Sequence, residues 1–196
     1  DGKWMTLNIP INWAWGHSPV YLIGGILGMK AAGVYAAIRS ITNVANVAME
    51  MIPTFFASRL SQHFSTGDGQ RYTLYLSKLG LIGFVAWALG LIVLIDCSNV
   101  ILGTVLGDNF KEYGLIIQVF WGVSLIQFAF HLQALHLRFI GKTFAAPIAH
   151  AVGVLVLAIS FYQFRDSGLL AMGWALIAGG MSIVTVQLLV VFQKPS

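Results

Sequence analysis

Charged side chains are scarce in this 196-residue sequence, where Asp, Glu, Lys and Arg together make up only 9%. A soluble domain carries about 25% charged residues, because its surface faces water. Hydrophobic residues reach 58% and the mean hydropathy is +0.81. Such a chain has too few charges to cover a water-exposed surface. The composition therefore predicts an integral membrane protein, since lipid tails tolerate an apolar surface.

Cysteine and paired acidic residues are also scarce. Cys97 is the only cysteine, which excludes an intramolecular disulfide and a metal site built from thiolates. The sequence lacks an Asp-x-Asp pair, a His-Glu-x-x-His motif, a Gly-x-Ser-x-Gly turn and a phosphate-cradling glycine loop. These absences disfavour a membrane-embedded transferase. We expect no enzymatic activity, no metal and no cofactor.

Six apolar runs are separated by charged or turn-rich segments. A membrane core about 30 Å thick requires about 20 such residues, and the runs cover 12–29, 33–58, 72–96, 115–139, 143–164 and 169–192. The short connections at 29–32, 141–142 and 165–168 predict antiparallel neighbours, whereas 97–114 predicts a longer loop. The sequence thus predicts an all-α, polytopic transmembrane bundle of about six helices, in one unit over residues 1–196.

Basic residues outnumber acidic residues by 11 to 7, and the net charge is +4. These scattered charges are too few to follow a phosphate backbone, so we expect no nucleic acid partner. With six spans, most basic residues fall on the side of the N terminus, namely Lys3, Arg59, Arg71, Lys78, Arg138, Lys142 and Lys194. Because Lys and Arg concentrate in cytoplasmic loops, this pattern predicts that both termini are cytoplasmic.

One face of the second span carries polar side chains at helical spacing. Arg39, Asn43, Asn46 and Glu50 follow one another at i, i+4, i+7 and i+11, which places them in a stripe about 60° wide. Since polar groups in lipid are costly, the stripe predicts contact with protein or water. The alternatives are that Arg39 reaches back to the headgroups, and that the asparagines only hydrogen-bond between helices.

Depth separates the roles expected along this stripe. At about 1.5 Å per residue from residue 33, Arg39 lies in the outer part of the span and Glu50 near its cytoplasmic edge. Asn43 and Asn46 are central. Arg39 and Glu50 are about 16 Å apart along the axis, too far to pair with each other. Each therefore needs another partner, a ligand or water.

A second polar stripe lies on the fourth span. Ser124, Gln127, His131 and Arg138 are separated by 3, 4 and 7 residues, which keeps them on one face. His131 can change charge near neutral pH, although a buried histidine is more often a neutral hydrogen-bonded residue than a proton carrier. Two polar-faced helices predict a shared hydrated cavity. Its candidate lining residues are Arg39, Asn43, Asn46, Glu50, Ser124, Gln127 and His131.

Residues 25–61 carry a pattern found in one family of transporters. Gly28, Gly33, Tyr35 and Ala37 follow a short first helix, and Pro53 follows a second. This segment resembles the start of the C-terminal half of polysaccharide flippases, the Wzx-like O-antigen transporters of the multidrug/oligosaccharidyl-lipid/polysaccharide exporter superfamily. The stretches VLGDNFKEYG (105–114), LRFIGKT (137–143) and DSGLLAMGWA (166–175) resemble further turns of that family.

The resemblance implies both a fold and a function. It implies one lobe, the C-terminal one, of a MATE-like transporter fold in the bacterial cell inner membrane. It further implies movement of a polyprenyl-diphosphate-linked oligosaccharide across that membrane by alternating access. The implied partners are this lipid-linked oligosaccharide, membrane lipids and a second transmembrane lobe. The chain opens at Asp1 without an initiator Met, so we expect a partial transporter, with Arg39 as the best match to a cationic cavity.

Two other functions stay open. A MATE-like cation-coupled drug exporter needs a titratable carboxylate inside the cavity, for which Glu50 is the sole candidate. A non-transporting membrane scaffold protein would use both polar stripes only for helix packing. Water accessibility of Asn43 and Gln127 separates the transporters from the scaffold.

Overall fold

The computed structural model describes residues 2–67 and 69–192, which form helices and short connections with no strand. The predicted all-α bundle of six helices is therefore confirmed. Asp68, Lys194 and the C-terminal end, which enter the predicted loop and topology, lie outside the described residues. The helices are α1 (Gly2–Ile26), α2 (Met29–Ser65), α3 (Gly69–Leu106), α4 (Gly114–Phe139), α5 (Ala145–Phe164) and α6 (Leu169–Phe192).

Four helical segments are long and apolar enough to cross a membrane. By length and composition, they are Gly69–Leu106, Asp108–Phe139, Ala145–Ser167 and Leu169–Phe192. These segments support a membrane-embedded protein. In the described chain, α1 and α2 are not among them, because prolines and amides interrupt α1 and the polar stripe lowers the hydropathy of α2. The predicted spans over α1 and α2 stay predictions.

Two helices extend beyond the predicted spans. α1 is already helical at Gly2 and contains Pro10 and Pro19, while the bounds of the membrane span over 12–29 stay a prediction. The predicted loop over 97–114 is wrong, because α3 continues to Leu106 and a 3₁₀ turn covers Asp108–Tyr113. Polar residues near position 97 do not end a helix that has a packed neighbour, so tertiary contacts extend α3 past its apolar run.

The tightest helix packing joins α5 to α6. A Cβ on Gly179 would lie 2.8 Å from the carbonyl oxygen of Gly153 and 2.9 Å from the ring of Trp15. Glycine at both positions lets the two backbones approach closely, as small residues do in membrane bundles. Gly24 and Gly28 have the GxxxG spacing of closely packed membrane helices, but Gly28 does not lie in a helix contact. It has a φ of +91° in the α1–α2 turn, and a Cβ added to it would meet no heavy atom within 4 Å.

The α3–α4 pair is joined by aromatic side chains seated on glycines. Phe128 and Trp121 occupy the space that side chains at Gly83 and Gly90 would fill. The indole N–H of Trp87 donates to the carbonyl of Trp121, and that of Trp121 donates to the carbonyl of Trp87, both at 3.0 Å. These reciprocal bonds satisfy both indoles in an apolar setting, where an unpaired donor is costly.

The buried core divides into a large cluster and a small one. The large cluster contains Trp15, Tyr35, Phe130 and other apolar residues of all six helices. The small cluster surrounds Leu60 and Tyr72, where α2, α3 and α4 meet. There the Tyr72 hydroxyl is hydrogen-bonded to Nδ1 of His136 at 2.6 Å, although that histidine was not a predicted site residue.

Candidate functional site: a polar cleft between α1, α2 and α4

A polar cleft of about 490 Å³ opens between α1, α2 and α4. Its walls contain amide, imidazole, carboxylate and guanidinium groups together with aromatic rings. This mixture of a few polar groups and aromatic surface is typical of small-molecule sites. The lining residues are Asn8, Ile9, Asn12, Trp13, Trp15, Gly16, His17, Arg39, Asn43, Asn46, Glu50, Gln127, Phe130 and His131.

The whole polar stripe of α2 lines this cleft. Arg39, Asn43, Asn46 and Glu50 all belong to its wall. Asn46 is buried at 6% exposure, whereas Asn43 and Glu50 are exposed on the open side. The helical spacing accounts for this, because residues at i, i+4, i+7 and i+11 stay on one face for three turns.

The stripe of α4 reaches the cleft only in part. Gln127 and His131 line it, and Gln127 is buried at 6% exposure. Ser124 does not line it, since its hydroxyl is fully buried and donates to the carbonyl of Trp121 at 2.6 Å. A serine in a helix can satisfy itself on a preceding carbonyl, so its position in a polar stripe does not require a cavity. Arg138 borders a separate cavity near Trp4.

Glu50 finds its partner across the cleft. Oε1 of Glu50 lies 3.0 Å from Nε2 of His131, and because a carboxylate only accepts, Nε2 carries the proton of this bond. Both side chains are partly exposed, at 51% for Glu50 and 32% for His131. α2 continues past Glu50 to Ser65, so Glu50 lies well inside this helix. Its expected position near the cytoplasmic edge of the span stays a prediction.

Arg39 has no acidic partner in the described residues, where the ion pairs join other side chains. Its guanidinium lies 5.9 Å from the ring centroid of Tyr35, at the distance of a cation–π contact. The same side chain also borders an adjoining cavity of about 390 Å³, which contains His17 and Ser40. Within the described chain, a permanent positive charge without a counter-ion therefore faces two adjoining open volumes.

The wall formed by α1 was not predicted. Asn8, Asn12, Trp13 and His17 line the cleft beside the α2 stripe. The sequence does indicate this face, because Asn8–Asn12 and Trp13–His17 are both i, i+4 pairs, and residues at that spacing lie on the same side of a helix. The apolar run predicted over 12–29 excludes Asn8, and its mean hydropathy does not reveal a polar face within it.

Three buried polar atoms in the cleft wall have no hydrogen-bond partner in the described protein. They are Oδ1 of Asn8, Nε1 of Trp15 and Oδ1 of Asn46. A buried polar atom without a partner costs about 1–3 kcal/mol. Residues of the cleft wall thus carry two acceptors and one donor that the protein itself leaves unsatisfied.

The donor set is not that of a metal site. Among the described residues, no group of three or more His, Cys, Asp or Glu side chains is arranged to hold a metal ion. The cleft instead combines neutral amides, aromatic rings, the guanidinium of Arg39 and one carboxylate–imidazole pair. It is suited to binding a polar, uncharged group beside an anionic one.

Fold and cleft together define a helical membrane bundle with a polar site between three of its helices. Comparisons of the chain with protein-family models, with curated proteins and with solved structures found no match.

Proposed function

We propose that the chain is one lobe of a membrane transporter that moves a polyprenyl-diphosphate-linked oligosaccharide across the bacterial inner membrane. The observation that carries this proposal is the convergence of the polar faces of α1, α2 and α4 on one cleft in a bundle with membrane-length apolar helices. Polar side chains at membrane depth are expensive, and they usually mark a substrate or ion pathway. The resemblance of residues 25–61 to polysaccharide flippases supplies the substrate class.

Arg39 is the proposed contact for the diphosphate. Its charge is permanent, and its planar fork matches phosphate oxygens in a bidentate geometry. This role is supported because Arg39 lines two adjoining cavities and no acidic side chain of the described residues competes for it. A purely snorkelling arginine would instead turn its guanidinium away from the bundle.

A second transmembrane lobe is proposed to close the cleft from its open side. Asn43 and Glu50 are exposed there, although both are polar and part of the cleft wall. Such groups face protein or water rather than lipid in a membrane. Two lobes that rock against each other would expose the cleft to either side in turn, which is the alternating access that the family resemblance implies.

The experiment that tests this function replaces Arg39 in the transporter that contains this chain. Display of O-antigen or capsule in a flippase-null strain is the measurement, at matched expression. Arg39→Ala should lose most display, because a charge-assisted contact contributes about 1.5–3 kcal/mol, or roughly ten- to a hundredfold in affinity. Arg39→Lys keeps the charge without the fork and should retain part of it.

The matched control is Arg59→Ala, an exposed arginine of the same helix that does not line the cleft. It should display like wild type. Full display by Arg39→Ala would remove Arg39 from the site. Equal loss in both arginine variants would show a topological effect rather than a binding contact.

A cation-coupled exporter is the second candidate, and the Glu50–His131 pair favours it. A carboxylate that shares a proton with an imidazole inside a cleft could exchange that proton for a cation. On this function, Glu50→Gln abolishes efflux of lipophilic cations while Arg39→Ala retains it. The flippase function predicts the opposite ranking for oligosaccharide display.

We also propose that both termini and residues 65–71 are cytoplasmic, as the bias of basic residues suggests. Single cysteines at Gly69 and at Asn109, in a Cys97→Ala background, should then react with an impermeant maleimide from opposite sides of the membrane. Reaction of both from the same side would contradict the six-span topology.

A further inference from the structure

The α1 wall has a feature that a diphosphate contact does not use. Trp13, His17 and Tyr21 form an aromatic row at i, i+4 and i+8 along one face of α1. The Trp13 and His17 rings are stacked, with centroids 4.6 Å apart and planes 15° apart. Trp13 and His17 line the cleft, and Trp13 remains 54% exposed.

The orientation of this platform is fixed from within the helix. Nδ1 of His17 lies 2.9 Å from the carbonyl oxygen of Trp13. Because a carbonyl only accepts, Nδ1 carries the proton of this bond. The imidazole therefore supports the indole in one position, so little conformational freedom is lost when a ligand stacks on it.

We infer that the α1 wall of the cleft is a binding subsite for a pyranose ring of a carbohydrate, with Trp13 as its stacking platform. The axial C–H groups of a pyranose make one face of the sugar apolar and slightly positive. The face of an indole is negative, so the two surfaces attract in a parallel arrangement. This subsite rests on the proposed function for the identity of the larger ligand, since the pyranose would be part of the oligosaccharide.

The rest of a sugar needs hydrogen-bond partners, and the same cleft supplies unused ones. Oδ1 of Asn8, Oδ1 of Asn46 and Nε1 of Trp15 are buried without a partner in the described protein. Asn46 and Trp15 are each more than nine-tenths buried, at 6% and 3% exposure. Hydroxyl groups both donate and accept, so a sugar could satisfy both kinds of group once these side chains turn toward the cleft. Sites built on such unpaired groups discriminate strongly against ligands that lack the hydroxyls.

Charge separates this subsite from the anion contact. The lining residues that α1 supplies to the cleft include no carboxylate, lysine or arginine, and their polar members are Asn8, Asn12 and His17. Arg39 lies on α2, and it borders an adjoining cavity together with His17 at the edge of this wall. A ligand with a neutral ring and an attached diphosphate would therefore meet the aromatic row and the guanidinium with different parts of itself.

The experiment measures glycoside binding directly and needs no transport. The chain is purified in lipid nanodiscs, and saturation-transfer difference NMR is recorded with methyl α-mannopyranoside and methyl β-glucopyranoside. Mannitol is the matched ligand control, because it has the hydroxyls without a rigid ring face. Wild-type protein should saturate ring C–H protons of at least one glycoside and leave mannitol unsaturated.

The variants compare two tryptophans of equal exposure. Trp13→Leu keeps an apolar side chain but removes the π face, and it should weaken glycoside binding by about tenfold. Trp174→Leu changes a tryptophan of α6 that is also 54% exposed but lies outside the cleft, and its binding should equal that of wild type. Trp13→Tyr restores an aromatic face and should recover most of the affinity, which separates stacking from misfolding.

Four results would overturn the subsite. These are no glycoside binding by wild type, equal saturation of mannitol, equal binding by Trp13→Leu, and binding of tetraphenylphosphonium in place of any glycoside. The last result would make the aromatic row a cation–π site. Failure of the subsite is distinct from failure of the proposed function, because nanodisc binding and oligosaccharide display are measured separately. Binding without display would reject the transporter function and keep the subsite.

Discussion

The α5–α6 pair and the α1–α2–α4 cleft are packed in opposite ways. Between α5 and α6, the glycines at positions 153 and 179 bring two backbones into contact with no room for a methyl group. Between α1, α2 and α4, an open volume of about 490 Å³ is lined by polar atoms that are in part unpaired. The bundle thus divides into a side where backbones are in contact and a side that contains an open polar volume.

The two sides also treat their polar groups differently. In the cleft, Glu50 and His131 satisfy each other across the opening, and Asn46 leaves one oxygen free. On α6, Gln187 is fully buried and both atoms of its amide lack a partner in the described chain, although it does not line the cleft. An unpaired polar atom therefore does not by itself indicate a binding site, because it also occurs in residues that line no part of the cleft.

The largest expected effect is a difference in water access between the cleft face of α2 and its neighbouring exposed face, which should be all or none. In a Cys97→Ala background, Asn43→Cys should react with a water-soluble maleimide, because a thiol reacts as the thiolate and this form needs water. Val44→Cys, the adjacent residue at 73% exposure and outside the cleft, should not react in a bilayer. Equal reaction at both positions would erase the distinction between a hydrated face and a lipid face.

The next largest effect is expected from filling the α5–α6 contact. Gly179→Leu should destabilise the protein by about 3 kcal/mol, because its side chain would overlap the carbonyl of Gly153 and the ring of Trp15. Thermal unfolding followed by size-exclusion chromatography in detergent measures the loss. Gly122→Ala is the control, since no heavy atom lies within 4 Å of the Cβ it would add. Wild-type stability of Gly179→Leu would show that this side yields as easily as the cleft.

A smaller effect of opposite sign should come from removing unpaired amides. Asn46→Leu and Gln187→Met should each stabilise the fold by about 1–2 kcal/mol, because each removes a buried polar atom without a partner. Only Asn46→Leu should lower oligosaccharide display, since Gln187 lies outside the cleft. Equal loss of display in both variants would argue that the cleft has no special role in transport.

The smallest effect is expected for the Glu50–His131 pair. A double-mutant cycle with Glu50→Gln and His131→Gln should give a coupling energy of about 0.5 kcal/mol, because solvent screens a partly exposed pair. The measurement is the free energy of unfolding of the four proteins. A coupling energy several times larger would mean that a second lobe or the lipid keeps this part of the cleft dry.

The sequence was sufficient to predict the helices and two of the cleft walls, because both follow from periodicity. Polar residues at helical spacing mark one face, and α2 brings all four of its residues to the cleft. The wall from α1 could not be found by hydropathy, since Asn8 falls outside the apolar run over 12–29 and the polar residues inside that run do not stand out from it. For Ser124, helical spacing predicted a cleft residue where there is none, because its hydroxyl is satisfied within its own helix.

The helix contacts were harder to predict than the helices. The Gly24–Gly28 spacing is typical of closely packed membrane helices, but Gly28 lies in the α1–α2 turn. The close approach of two backbones instead pairs glycines at 153 and 179, which lie on different helices. A local motif cannot reveal such a pair, because its geometry is decided by which two helices become neighbours.

The reciprocal tryptophan bonds restrict how α3 and α4 can move relative to each other. Each indole donates to the backbone carbonyl of the other tryptophan, so both bonds require the same alignment of the two helices along their axes. A slide of α3 along α4 by a single residue, about 1.5 Å, would break the two bonds together. The two bonds thus oppose sliding of α3 along α4, but they allow both helices to tilt together. A movement of α4 that opens the cleft should therefore move α3 with it as one unit.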